Sequence, residues 1–185
     1  MNKIMDKIGV FYGSDSGVTD DITRDLVTFW KADNLEVMEI GKASVEDLQQ
    51  YEVLFLGLST WYDGDLQSDW EDFFDTFKTI DFTNKIVAIY GLGDQIGYAE
   101  YFVDGIGILA KVVLENGGKL VGYWPTEGYS HTDSVALVDG SEDLFYGLAL
   151  DHDNESQLSD ERLKTWLSQI QQEIQALLPV SQYSC

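Results

Sequence analysis

The chain has 185 residues, 44% of them hydrophobic, which predicts a single globular domain over residues 1–185. Its 33 acidic and 11 basic residues give a formal net charge of −22, which argues against partners that are nucleic acids or anionic membranes. The only cysteine, Cys185, excludes internal disulfides and cysteine-ligated clusters, and the two histidines, expected in loops, give no basis for a metal site. No apolar run has membrane-spanning length and the N-terminus lacks a secretory signal, so we expect a cytoplasmic protein.

Apolar runs of strand length recur along the chain and indicate β-strands. The nearly unbroken run Val53–Leu58 is typical of a strand that is buried on both faces of a parallel sheet. In chain order, strands are predicted at Ile8–Tyr12, Leu35–Ile40, Val53–Leu58, Lys85–Tyr90, Lys119–Tyr123 and Gly147–Leu150.

Helices are predicted between these strands, because apolar residues repeat there at helical spacing. The first follows Gly17, and the spacings Ser44–Asp47 and Ser68–Glu71 predict capping boxes at the starts of the next two. The fourth is predicted after Tyr98 and ends at residues 116–118, where glycine can take a left-handed cap. The last is predicted to begin at Ser159, to stop at Pro179 and to bury Leu163, Leu167, Ile170, Ile174 and Leu177.

The alternation of strands and helices predicts an α/β fold, a parallel sheet with helices on both faces. Ligands of such folds bind at the carboxyl ends of the strands. Three predicted loops lie on that edge, and they comprise residues 13–19, 59–64 and 91–98.

The first of these loops joins a strand directly to a helix. A helix start offers unpaired N–H groups and a positive dipole end, and Ser14, Ser16 and Thr19 add hydroxyls, so the loop suits a phosphate. An ordinary strand–helix turn capped by a hydroxyl explains the same residues. Asp20 and Asp21 would compete with a bound anion unless their carboxylates point away into water.

The other two loops each carry an aromatic residue, Trp61 and Tyr98. Each could cover the core, and as a pair they suggest a planar ligand held between two rings. Asp94 could contact the edge of such a ligand or cap its own turn. The glycines at 91, 93 and 97 would let the backbone approach the ligand, and Gln95 would offer a polar contact.

Four stretches, taken together, resemble those of flavodoxins of the long-chain type. They are Gly13–Thr19, Ser59–Gly64, Gly91–Tyr98 and Gly122–Tyr129, and the similarity runs from Ile8 to Leu178. The resemblance implies a flavodoxin-like three-layer sandwich whose five-stranded parallel sheet has the order 2-1-3-4-5. It also implies that residues 124–146 are an insertion that splits the last strand, a segment to which partner docking is usually assigned.

The resemblance further implies flavin mononucleotide (FMN) as cofactor. Residues 14–19 would hold its phosphate, Trp61 and Tyr98 would stack on its ring, and residues 62–64 would lie near its N5 atom. Val18 and Asp63 depart from the usual residue types at their positions. The cofactor-binding residues so predicted are Ser14, Asp15, Ser16, Gly17, Val18, Thr19, Ser59, Thr60, Trp61, Tyr62, Asp63, Gly64, Gly91, Gly93, Asp94, Gln95, Gly97 and Tyr98.

The implied function is low-potential, one-electron transfer between proteins, without catalytic residues. Expected partners are ferredoxin/flavodoxin–NADP reductase-like and other basic-faced redox proteins, which the acidic surface suits, although solubility also explains that surface. We expect a monomer. An FMN-dependent quinone or NAD(P)H reductase of related fold, or a binding module using the phosphate site for another ligand, remains an alternative.

Overall fold

A computed structural model describes residues 7–177, which form nine β-strands and six α-helices. Predictions about residues 1–6 and 178–185, including the helix stop at Pro179, lie outside the described residues. The strands are β1 (Ile8–Tyr12), β2 (Leu35–Glu39), β3 (Val53–Trp61), β4 (Asp65–Leu66), β5 (Ile86–Leu92), β6 (Lys119–Val121), β7 (Trp124–Pro125), β8 (Leu144–Phe145) and β9 (Leu148–Leu150). The helices are α1 (Val18–Trp30), α2 (Val45–Gln49), α3 (Ser68–Phe77), α4 (Asp104–Glu115), α5 (His152–Glu155) and α6 (Ser159–Leu177).

The central sheet is mostly parallel and has the strand order β2-β1-β3-β5-β6. Strand β6 pairs with residues 86–88 of β5, and β9 pairs with residues 90–92 of the same strand, both in parallel. The chain between β6 and β9 therefore leaves the sheet and returns to it. Outside the sheet this inserted segment forms the short antiparallel pair β7–β8.

Side chains of β3 reach helices on both faces of the sheet. On one face Phe55 contacts Trp30 of α1 and Trp166 of α6, with ring centroids 5.3 and 6.1 Å apart. On the other face Leu58 packs against Gly105 of α4. The buried apolar side chains of β1, β3 and β5 therefore lie between two helical layers, and the predicted α/β class is confirmed.

Two central strands extend further toward the ligand edge than predicted. Residues 59–61, predicted as loop, belong to β3, because β4 pairs antiparallel with Thr60 and Trp61. Gly91, also predicted as loop, lies within β5, where it pairs with Ala149 of β9. Pairing with a neighbouring strand satisfies the backbone groups of these residues, and for Gly91 it overrides a low strand preference.

One of the two predicted capping boxes is correct. Ser44 Oγ accepts from the N–H of Asp47 at 3.2 Å, and Asp47 Oδ2 accepts from the N–H of Ser44 at 2.8 Å, as a capping box requires. The box predicted at Ser68 is wrong, because Ser68 is already helical. The cap is Gln67, whose Oε1 accepts from the N–H of Trp70 at 3.2 Å.

The fourth and last helices also differ from their predictions. Phe102 lies in a turn before α4, which begins only at Asp104, because the preceding Val103 has a positive φ of 52°. In α6, Trp166 is fully buried and donates to the carbonyl of Gly122 at 2.7 Å, a core position the sequence reasoning missed. Leu177, predicted as core, is 45% exposed.

Candidate functional site

A cavity of about 300 Å³ lies at the carboxyl edge of the sheet. It is bordered by the start of α1, the end of β3, the end of β5 and the start of α5. This size is at the lower end of the range for small-molecule sites. Its lining residues are Ser16, Val18, Thr19, Ser59, Thr60, Trp61, Tyr62, Leu92, Gly93, Asp94, Tyr98, His152 and Asp153.

Ten of the eighteen predicted site residues line this cavity, and the other eight do not. Ser14, Asp15 and Gly17 instead border an adjoining acidic cavity of about 550 Å³, which shares Ser16 with the first. The remaining five, which line neither cavity, are Asp63, Gly64, Gly91, Gln95 and Gly97.

The first loop enters α1 through Gly17, whose φ of 92° is in the left-handed region that favours glycine. The Ser14 hydroxyl accepts from the N–H groups of Gly17 and Asp20 at 3.1 and 3.4 Å, as the capped-turn alternative requires. The N–H groups of Val18 and Thr19, in the first turn, have no carbonyl one turn earlier to pair with. The loop is therefore both a capped turn and a set of donors beside the cavity.

The acidic residues near this helix start are held by local partners. Asp20 accepts from the Tyr12 hydroxyl at 2.6 Å and forms an ion pair with Arg24 at 2.5 Å. Its carboxylate is therefore engaged by protein groups, whereas the sequence analysis expected it to point into water. Burial, followed by the hydrogen bond to Asp20, raises the pKa of Tyr12 to about 12. The Asp21 side chain is 73% exposed and lies 3.4 Å from the same Arg24 guanidinium. Arg24 thus offsets one of the two charges that would repel an anion.

The aromatic side of the cavity contains three rings rather than two. The Tyr62 ring lies 6.2 Å from Trp61 and 6.4 Å from Tyr98, centroid to centroid, the second contact being edge-on. Tyr62 has a positive φ of 43° and is 63% exposed. The resemblance gives the Tyr62 ring no stacking role, yet that ring contacts both predicted stacking residues.

The indole N–H of Trp61 is buried and has no hydrogen-bond partner among the described residues. It lies close enough to the Asp15 carboxylate to help lower the pKa of Asp15, but it makes no hydrogen bond to it. Leaving a buried donor unpaired costs about 1–3 kcal/mol, so the position is one that an acceptor from a ligand would stabilise. Trp61 shares the cavity wall with Ser16 and Thr19.

In the third loop, Asp94 caps its own turn. Its Oδ1 accepts from the N–H groups of Ile96 and Gly97 at 2.9 and 2.7 Å and from Asn154 at 2.8 Å. Burial raises the pKa of Asp94, but these hydrogen bonds outweigh it and hold that pKa below the usual range. The carboxylate thus has the turn-capping role that the sequence left open, while the residue still lines the cavity.

The structure does not bring Gln95 or Gly91 to the cavity. Gln95 is 2% exposed, and its side-chain amide is hydrogen-bonded to Ser130 and Glu155. The open side of Gly91 faces Ile106 of α4, whose Cγ1 would lie 2.5 Å from an added Cβ. Close helix packing explains this glycine without a ligand.

Three cavity residues were not predicted: Leu92, His152 and Asp153. The two polar ones follow β9 directly, and His152 begins α5 rather than lying in a loop as expected. The rule that identified the other loops, that residues after a parallel strand lie at the ligand edge, would have identified them.

Within residues 7–177, no group of three or more His, Cys, Asp or Glu side chains is arranged to hold a metal ion. Among the helices of the same residues, none is long and apolar enough to cross a membrane.

A parallel sheet with a donor-rich helix start and aromatic loops at one edge defines an α/β protein with a nucleotide-type ligand site. The family model described as Flavodoxin matches residues 10–166. The chain is 45% identical to a flavodoxin of Nostoc sp., over 90% of this chain and 96% of that protein. It is 44% identical to flavodoxin 1 of Escherichia coli, over 90% of this chain and 93% of that protein. The chain belongs to the flavodoxin family.

Solved structures show the same likeness. The structure of Fusobacterium nucleatum flavodoxin bound to flavin mononucleotide superposes with a TM-score of 0.85 at 30% identity, covering 90% of this chain and 98% of that one. A variant of that protein, also bound to flavin mononucleotide, gives a TM-score of 0.86 at 31% identity, covering 93% and 99%.

Proposed function

We propose that this flavodoxin binds FMN in the cavity at the carboxyl edge of the sheet and carries single electrons between partner proteins. The observation that carries the proposal is the unpaired, buried indole N–H of Trp61 in a cavity wall that also contains the first turn of α1. A phosphate would supply the acceptor that this donor lacks. The FMN-bound flavodoxins of Fusobacterium nucleatum, which share this fold, support the choice of ligand.

The residues present fit the phosphate of FMN without a basic side chain in the loop. Donors would come from the N–H groups of Val18 and Thr19, the Ser16 hydroxyl and the Trp61 indole. Asp15 is turned toward α3, where Gln67 and Ser68 donate to it, so its charge does not occupy the same position. The Trp61 indole of β3 thus adds one donor to those of the predicted phosphate loop.

The ring system would lie among Trp61, Tyr62 and Tyr98, in a cavity that Gly93 and Asp94 also line. When bound, FMN supplies the one-electron redox chemistry. The chain's own residues hold and orient it, exclude water from the buried side and set the surrounding charge. Because the chain carries a formal charge of −22, the addition of electrons at this site is disfavoured, which favours a low potential.

The finer predictions about partners are part of this proposal. With 33 acidic against 11 basic residues, the surface suits ferredoxin/flavodoxin–NADP reductase-like and other basic-faced redox proteins. Exposed apolar side chains of Tyr62, Ile96 and Tyr98 beside the cavity give such a partner a contact area near the cofactor. We further infer a cytoplasmic monomer that forms one domain, with residues 124–146 as an insertion.

Anaerobic mixing experiments test carrier against reductase. A carrier loaded with FMN is reduced slowly by NADPH alone and rapidly once a catalytic amount of ferredoxin–NADP reductase is present. Rapid reduction by NADPH alone would contradict the proposal and support the FMN-dependent reductase.

A further inference from the structure

We propose that Gln95, Glu155 and Arg162 form a network that positions the third ligand loop, residues 94–98, and connects it to α6 and the inserted segment. The inference rests on the proposed function, since it concerns how the FMN site keeps its shape. It assigns Gln95 a positioning role in place of the ligand contact expected from the sequence.

Gln95 joins three separate parts of the chain. Its N–H donates to Asp151 Oδ2 at 3.1 Å, at the end of β9, and its Nε2 donates to Glu155 at 3.0 Å, at the end of α5. Its Oε1 accepts from the N–H of Ser130 at 2.6 Å, in the inserted segment. Both ends of the amide are thus engaged in a side chain that is 2% exposed. A side chain so held fixes the backbone that carries it.

Arg162 holds Glu155 in the position that Gln95 needs. The Arg162 guanidinium forms an ion pair with Glu155 at 2.9 Å, although its Nη1 lies outside hydrogen-bond geometry, and the two side chains are only 14% and 24% exposed. The guanidinium also lies 4.4 Å from the centre of the Tyr129 ring. An ion pair with this little solvent is weakly screened, and loss of one partner leaves the other charge uncompensated.

Tyr129 extends the network to β9. Its hydroxyl donates to the carbonyl of Ala149 in β9 at 2.6 Å and accepts from the indole of Trp124 at 2.9 Å. The inserted segment therefore contacts the ligand loop through Ser130 and α6 through Tyr129. Because Asp94 and Tyr98, on either side of Gln95, line the cavity, a shift of Gln95 moves cavity walls.

The test compares two cations on the same helix. Arg162→Met removes the ion pair and the ring contact that hold the network, while keeping the aliphatic part of the side chain. The control Lys164→Met removes an ion pair with Asp160 at 4.0 Å and a contact with the Phe29 ring at 4.3 Å, neither of which touches the loop. Arg162→Lys restores the charge and serves as the rescue variant.

Two measurements are made on full-length protein, amide hydrogen exchange without FMN and titration with FMN. For Arg162→Met we expect at least about threefold faster exchange in residues 95–98 and about tenfold weaker FMN binding, within the range of networks of this kind. The visible circular dichroism of bound flavin should change as well. Lys164→Met should stay within about twofold of the unsubstituted protein on both measures, and Arg162→Lys should recover part of each loss.

Unchanged exchange and unchanged affinity in Arg162→Met would overturn the inference, and so would a lower melting temperature with neither of those effects. If Arg162→Met does not fold, Glu155→Gln, which keeps the amide contact but not the charge, takes its place with the same expectations. If the unsubstituted protein binds no FMN, the proposed function is overturned instead. The hydrogen-exchange measurement, made without FMN, would still test the network.

Discussion

The Ser68 hydroxyl donates to the Asp15 carboxylate at 2.5 Å, which links the first ligand loop to the start of α3. The Gln67 amide donates to the same carboxylate oxygen at 2.9 Å. Asp15 is therefore held at the start of α3 by two donors. The same contact explains why Ser68 does not cap its own helix: its hydroxyl is used by a loop 53 residues earlier in the chain.

This link predicts a pH-dependent cost for Ser68→Ala. Burial raises the pKa of Asp15, but the hydrogen bonds from Ser68 and Gln67 outweigh it and lower that pKa. A carboxylate with a lowered folded-state pKa stabilises the fold above its unfolded pKa of about 3.9 and loses that contribution as the pH falls. We expect Ser68→Ala to cost about 1 kcal/mol at pH 7 and less near pH 3, where protonation of Asp15 removes part of the contribution. Urea unfolding at pH 7 and at pH 3 measures the two costs, and substitution of the exposed Ser156, Ser156→Ala, is the control. An equal cost at both pH values would refute the link.

Trp61→Phe separates the indole N–H from the ring. Because that N–H is unpaired in the structure, its removal should leave the stability of the FMN-free protein unchanged or slightly higher. FMN binding should weaken about 10–100-fold, since hydrogen bonds to charged groups contribute about 1.5–3 kcal/mol. Riboflavin, which lacks the phosphate, is the control ligand, and the substitution should weaken its binding much less. Equal losses for FMN and riboflavin would show that the N–H does not serve the phosphate.

The fold class and the three ligand loops could be predicted because they depend on local pattern. The apolar run of β3 is buried throughout residues 53–58, and the carboxyl-edge rule located the loops that contain Ser16, Trp61 and Tyr98. The ends of elements could not be predicted, since pairing with neighbouring strands decides them. The pairing of β4 with β3 and of β9 with β5 lengthens both central strands beyond their local signals.

Side-chain roles at the site depended on contacts that no local pattern contains. Gln95 and Tyr98 follow the same strand, yet one is held beneath the loop by Ser130 and Glu155 while the other lines the cavity. Glu155 lies 60 residues beyond Gln95 in the chain, a separation at which spacing carries no information. His152, expected in a loop, begins the four-residue helix α5 instead, two residues after the end of β9.

The partly buried position of His131 in the inserted segment predicts that the protein loses stability in acid. Its ring lies 5.0 Å from Phe145 and 5.9 Å from Phe102, and its Nδ1 has no partner among the described residues. Burial lowers the pKa of His131, with Asp133 opposing the shift. The folded state therefore binds protons less readily than the unfolded one, and stability should fall as the pH falls through about 6.5.

The measurement is the free energy of unfolding of His131→Phe and of the unsubstituted protein between pH 7.5 and pH 5. The difference between the two should grow in favour of the variant as the pH falls through about 6.5. A constant difference over this range would contradict the account of His131.

Asp63→Asn tests whether surrounding charge sets the potential of bound FMN. Asp63 is exposed in the turn between β3 and β4, beside Tyr62. Removal of its negative charge should make the midpoint potential less negative by about 10–40 mV, since exposed charges interact weakly. The shift should shrink when the salt concentration is raised, because the charge is screened. Redox titration in low and high salt measures it, and an unchanged or more negative potential would exclude a Coulombic role.

The central claim is that the cavity bordered by α1, β3 and β5 binds FMN. Titration of the FMN-free protein with FMN, followed by flavin fluorescence, tests it most directly. We predict that the fluorescence is quenched up to one equivalent, as the ring becomes stacked against aromatic side chains, and that Trp61→Phe moves the curve to higher FMN concentration. Fluorescence that stays unquenched at micromolar protein and FMN would contradict the claim.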